Sequence, residues 1–123
     1  MTYANDLEAT KQTYPFNEWH ENLEYGLEQY TQENCNKAQT IFDTLIAELI
    51  ALGIEADESQ KIQKFEVAVL ALNNLNEELD DCFIETGERE DLCELCNAIC
   101  RAARIDPSKY GDGEGPASEW REW

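Results

Sequence analysis

Phe83 to Ile105, FIETGEREDLCELCNAICRAARI, joins a turn, an acidic helix start and three of the chain's five cysteines in one run. Gly87 interrupts the apolar periodicity before it. Glu88, Glu90 and Asp91 then place negative charge where a helix dipole is positive, and Arg101 and Arg104 place positive charge at the opposite end. Leu92, Leu95, Cys96, Ile99 and Cys100 recur at steps of one, three and four, so one side of this segment is apolar. The pattern predicts a helix over 91–104, started by Thr86 or Gly87 and closed by Asp106-Pro107.

Working outward from this helix, the rest of the chain has the same period. Cys35, Ala38, Phe42, Leu45, Leu49 and Leu52, widened by Ile41 and Ile46, form the buried stripe of a helix that Gly53 stops, with Ile54 able to fold back on the last turn. Asp57 and Gln60 have capping-box spacing. Beyond them Ile62, Phe65, Val69, Leu72, Leu75, Leu79 and Cys82 predict the longest helix, with Lys61, Lys64, Asn73, Asn76, Glu77 and Asp80 assigned to its other faces. Phe16, Trp19, Leu23, Leu27 and Tyr30 predict a helix over about 15–31, with Pro15 in its first turn and a break at 31–34. Residues 1–12 read as a loose arm or short helix with Tyr3 and Leu7 as anchors, 106–117 as a glycine-rich loop, and 118–123 as a last turn capped by Ser118 and pinned by Trp120 and Trp123. The expected fold is all-α: a single domain whose residues 13–105 form an antiparallel, up-down four-helix bundle, followed by a short C-terminal helical turn.

Twenty-seven acidic against nine basic residues give a formal charge of −18 in 123 residues. Such a surface repels nucleic acid and anionic membrane and attracts a basic protein. The longest apolar run, Ile41 to Ile54, is broken by Asp43 and Glu48, and residues 1–15 have no basic region and no apolar run, so neither a membrane span nor a secretion signal is expected. With an odd number of cysteines the expectation is reduced thiols in the cytoplasm, as a monomer or homodimer.

Cys93, Cys96 and Cys100 share one side of the predicted helix, and with Cys82 or Cys35 from a neighbour they could supply metal or redox ligands. The competing reading is core packing, because free cysteine behaves as a small hydrophobe and Leu92, Leu95 and Ile99 accompany these three. A di-iron carboxylate bundle needs Glu-x-x-His on two helices, and the single histidine, His20, follows Asn17 by three residues. The segment starting at Asp106 has the glycine of a calcium loop but puts Tyr110 at the fifth and Ala117 at the twelfth ligand position. No nucleophile stands in a motif with a base, so no catalytic site is assembled and no cofactor is expected.

Ile84-Glu85-Thr86, Arg89-Glu90-Asp91 and the terminal Trp120-Arg121-Glu122-Trp123 resemble an uncharacterised bacterial family of small acidic helical proteins, some of which are similar to immunity proteins. The resemblance covers 83–123 and implies a non-enzymatic protein that binds and blocks a toxin. The residues themselves point to an acidic interaction module centred on Glu85, Glu88, Glu90 and Asp91 with Trp19 and Tyr25 as aromatic anchors. The alternative class is a metal-binding or redox protein built on the cysteines.

Overall fold

The computed structural model describes residues 2–21, 31–79, 83–84 and 86–123. These contain helices and turns and no strand, so the chain is all-α. The described residues form six α-helices in order: α1 (Tyr3–Ala9), α2 (Phe16–Glu21), α3 (Gln32–Leu52), α4 (Glu58–Glu78), α5 (Thr86–Ala102) and α6 (Ala117–Trp120). No helix among the described residues is long and apolar enough to cross a membrane. Leu23, Leu27, Tyr30 and Cys82, assigned to helices from their spacing, lie outside the described residues.

The helices α3 and α4 pack antiparallel: Glu48 meets Lys64 at one end of their seam, and Glu33 lies beside Leu75 at the other. Helix α5 is antiparallel to α4 as well, since Lys61 reaches the carbonyl of Ala103 while Asn76 binds the backbone of Ile84. Phe42, Ile46, Leu49, Phe65, Val69, Leu72, Leu92, Ile99 and Cys100 fill the space between the three. Each fully buried side chain of this size contributes about 1.5–3 kcal/mol of transfer free energy.

Helix α3 starts at Gln32, earlier than its apolar stripe, because the Thr31 side chain accepts a hydrogen bond from the Asn34 N–H at 3.1 Å and caps the first turn. At its other end Gly53 takes φ +85°, but Ile54 is 52% exposed and does not fold back on the helix. The capping box of α4 is present, with the Gln60 side chain accepting from the Asp57 N–H at 3.3 Å.

The N-terminus is ordered as α1 and a 3-10 turn over Thr10–Thr13. Leu7 is buried, and the Tyr3 hydroxyl donates to the Leu49 carbonyl at 3.2 Å. The two isolated apolar residues of this segment thus dock it on the core, and Thr2 caps α1, its side chain accepting from the Asn5 N–H.

The largest departure from the sequence reading is on α4. Lys61, Asn73 and Asn76, assigned by polarity to outer faces, are buried. Each reaches the end of another element. Lys61 Nζ donates to the carbonyls of Ile54 and Ala103, both at 3.0 Å, and lies 5.0 Å from the Tyr3 ring centre. Asn76 accepts from the Ile84 N–H at 2.8 Å. Asn73 donates to the Trp120 carbonyl and accepts from the Glu122 N–H, both at 3.0 Å. Buried polar groups are tolerated in a core when they are hydrogen-bonded, and here they tie three chain reversals to one helix.

At the C-terminal end of α5, Ile105 N–H donates to the Cys100 carbonyl and Arg104 N–H to the Arg101 carbonyl. This is a Schellman closure with Arg104 at φ +66° where glycine is usual. The Arg104 guanidinium is employed elsewhere, donating to Asp6 at 2.7 Å and so joining α5 to α1. The segment after it is ordered by 3-10 turns at Pro107–Lys109 and Gly111–Gly113. Pro116, not Ser118, stands at the N-cap of α6, and Trp120 and Trp123 lie partly buried against the core.

Candidate functional site

The approach of α2 to α5 is set by aromatic residues. Phe16 and Trp19 lie on the inner side of α2 and meet edge to face, with ring centres 5.2 Å apart. Trp19 then meets Phe83 in the same geometry at 5.5 Å. The indole N–H would be a buried orphan in this core, and it donates to the Asp91 carboxylate at 3.0 Å. Trp19 is thus 2% exposed and joins the fold together, where the sequence reading had it as a surface anchor for a partner. Its place in the stripe with Phe16 explains the burial.

Between the entry to α2 and the outer side of α5 lies an open groove of about 500 Å³. Tyr14, Pro15 and Glu18 line one wall. Asp91, Glu94, Leu95, Ala98 and Arg101 line the other. The α5 residues fall at steps of three and four, one stripe of the helix, so the groove follows its axis. Glu18, Asp91 and Glu94 all line it, and Arg101 is the cation in its lining. The walls are held from behind. Tyr14 donates its hydroxyl to Asp43 of α3 at 2.8 Å, and burial followed by this bond to a carboxylate raises its pKa well above the ordinary value. The phenol is therefore a fixed, neutral strut. Asp91 is held by Trp19.

The other predicted contact residues divide in three. Glu90 is exposed on α5, one turn before Glu94. Glu88 is half-buried in the first turn. Glu85 and Tyr25 lie outside the described residues. Glu94, absent from the sequence-based set, belongs with Asp91 by its i, i+3 spacing, and Glu18 joins them only because α2 packs beside α5. The first was legible in the sequence and the second needed the tertiary structure.

The cysteines of α5 lie on or beside its core face. Cys96 and Cys100 are buried and Cys93 is half-buried, while Cys35 is buried on α3. Cys82 lies outside the described residues. Among the described residues no group of three or more His, Cys, Asp and Glu side chains is arranged to hold a metal ion. Burial raises the pKa of each described thiol. Cys35 is pushed up to about 11 and Cys100 to about 12, the neighbouring Glu58 adding to the second. Cys96 rises further, through burial and then the adjacent Cys93 and Cys100. Cys93 also rises, with Arg121 and Arg89 opposing. Thiols held protonated are poor nucleophiles and poor ligands.

No protein-family model, no curated protein sequence and no solved structure matches the chain.

Proposed function

We propose that the chain is a non-enzymatic, acidic protein-interaction module that receives a basic partner in the groove between α2 and α5, in the manner of an immunity-type inhibitor covering a basic effector. The observation that carries this reading is the grouping of Glu18, Asp91 and Glu94 in one preformed groove. A basic segment laid along it has carboxylates on both walls to pair with, and an arginine fork pairs with a carboxylate in two-pronged fashion. Because Tyr14 and Asp91 are tied to α3 and α2, little ordering has to accompany binding. Glu88 and Glu90 extend the negative field at the start of α5, and the proposed contact set also includes Glu85, which lies outside the described residues. The net charge of −18 accelerates encounter with a basic protein. The proposal places the protein in a bacterial cytoplasm, where its thiols stay reduced.

The test is a titration with a short arginine-rich peptide followed by calorimetry. Combining Glu18→Gln with Glu94→Gln should weaken binding by about tenfold, at a cost of about 1.4 kcal/mol. Neutralising two remote acids, Glu55→Gln and Glu66→Gln, should weaken it far less. Equal losses from both pairs would show attraction to the overall charge alone and would overturn the groove as the site.

A further inference from the structure

Arg101 is the odd member of the α2–α5 groove. It is exposed near the end of α5, on a chain with 27 acids and nine bases. Among the described residues six of those bases sit against a carboxylate, Lys61 is spent on two carbonyls, and Arg101 makes no ion pair. Asp106 is close enough to feel the Arg101 charge. Its Oδ1, however, is turned onto Ser108, accepting from the N–H at 3.0 Å and from the hydroxyl at 2.7 Å. The guanidinium that lines the groove is therefore left for an anion from outside the chain.

The groove also has a direction. Along α5 its lining runs Asp91, Glu94, Leu95, Ala98, Arg101, with the carboxylates toward the start of the helix and the cation near its end. Glu94 and Arg101 are seven residues apart, two turns of one stripe, about 10.5 Å along the axis. Leu95 and Ala98 lie between them, so the stretch separating the two charges is apolar. The facing wall runs the opposite way: the Trp19 indole donates to Asp91, and Asp6 accepts from Arg104 just beyond the end of α5. Glu18 therefore belongs to the carboxylate end, and the uncharged Gln12 and Thr13 to the Arg101 end.

We propose that the groove selects an extended segment of the partner that carries both charges, a lysine or arginine set against Asp91, Glu94 and Glu18 and a carboxylate set against Arg101, with small or apolar residues between. This rests on the groove being the seat of a basic partner, and adds a polarity and a spacing to it. An extended chain advances about 3.3 Å per residue, so positions three apart are separated by about 10 Å and match Glu94 and Arg101. The guanidinium of Arg101 can hold the incoming carboxylate in two-pronged fashion. A uniformly basic segment gains at one end of the groove and loses at the other, where its second cation meets Arg101. That repulsion separates the fitting segment from the many basic surfaces that a net charge of −18 attracts.

Calorimetric titration of the full chain at low salt with end-blocked peptides of one composition, two arginines and one glutamate among alanines, tests this. In one peptide the glutamate stands three residues after an arginine pair, in another three residues before it, and in the control between the two arginines. One of the spaced peptides should bind about threefold more tightly than the control, the size of a part-exposed ion pair. Arg101→Gln should abolish that preference and Arg101→Lys should keep most of it. A peptide whose only charges are arginines should bind Arg101→Gln more tightly than the wild type. Spaced peptides no better than the control, or a preference that survives Arg101→Gln, overturn the proposal. If the all-arginine peptide nonetheless loses affinity when Glu18→Gln is combined with Glu94→Gln, the groove stands as a basic site without this polarity. If no peptide responds to that pair of substitutions, both readings fall.

Discussion

Replacing Lys61 with methionine removes a buried charge from the end of the bundle where α3, α4 and α5 meet, while keeping most of the stem that packs there. Lys61 is 3% exposed, and its ammonium serves two carbonyls at 3.0 Å, Ile54 after α3 and Ala103 after α5. Stranding two buried acceptors costs about 1–3 kcal/mol each. Losing the contact with the Tyr3 ring adds about 0.5–1 kcal/mol. Against this, the variant no longer buries an ammonium group, a relief of several kcal/mol. With that relief offsetting about half of these costs, the net expectation is a loss of about 2–3 kcal/mol. For a domain of this size that is a fall in Tm of roughly 8–12 °C. Urea unfolding should show a lower midpoint with an unchanged slope. Lys64→Met is the control: its 3.9 Å pair with Glu48 is part-exposed, and the change should stay within about 0.5 kcal/mol. The pH dependence gives a further check. Burial, and then the nearby Arg104, lower the Lys61 pKa, with Glu58 opposing. The unfolded chain therefore holds this proton more tightly, and the wild type should gain stability relative to Lys61→Met as pH rises toward the ordinary lysine value of 10.5. A methionine variant as stable as the wild type, or more so, would refute the assignment of Lys61 as a keystone.

Gly115 holds φ +120° with Asn97 against the position a Cβ would take, so Gly115→Ala should destabilise by about 1–3 kcal/mol and loosen the tail, measurable by proteolysis after Arg121. Trp19→Phe keeps the ring stacking but deletes the donor to Asp91, an expected loss of about 1–3 kcal/mol, whereas Trp19→Ala should cost about 3–5 kcal/mol in a chemical-denaturation series. The buried thiols ionise more readily in the unfolded chain, near the ordinary value of 9.0, than in the fold. Stability should therefore fall as pH rises above about 9, and a thiol reagent at neutral pH should modify Cys93 before Cys35, Cys96 and Cys100. Simultaneous modification of all four without denaturant would contradict their burial.

The all-α fold was legible because apolar residues repeat at helical spacing through α3, α4 and α5, and because Asp57, Gly53 and Thr86 mark ends that the structure uses. What escaped the pattern was polarity inside the core. Lys61 lies one turn before Phe65 and Asn76 one turn after Leu72, on the buried stripe of α4, yet their side chains suggested a wet face. Their partners are backbone groups at the ends of other elements, brought near only by the tertiary fold. Trp19 shows the converse: its spacing from Phe16 marked it as core, while its polar N–H and acidic neighbours suggested a surface role. Asp91 was singled out from charge density at a helix start, and Glu94 shares its stripe. Glu18 entered the groove through packing of α2 on α5, a long-range contact that no local spacing encodes.

The central claim is that a basic partner is received by the groove of Glu18, Asp91 and Glu94 and not by the acidic surface at large. Amide chemical-shift mapping of the isotopically labelled chain, titrated with a short arginine-rich peptide at low salt, tests it most directly. Perturbations concentrated at Glu18, Asp91, Glu94 and Ala98, and fading as salt rises, are the predicted result. Perturbations spread evenly over the acidic surface, reaching Glu55, Glu66 and Glu77 as strongly as the groove, would contradict it.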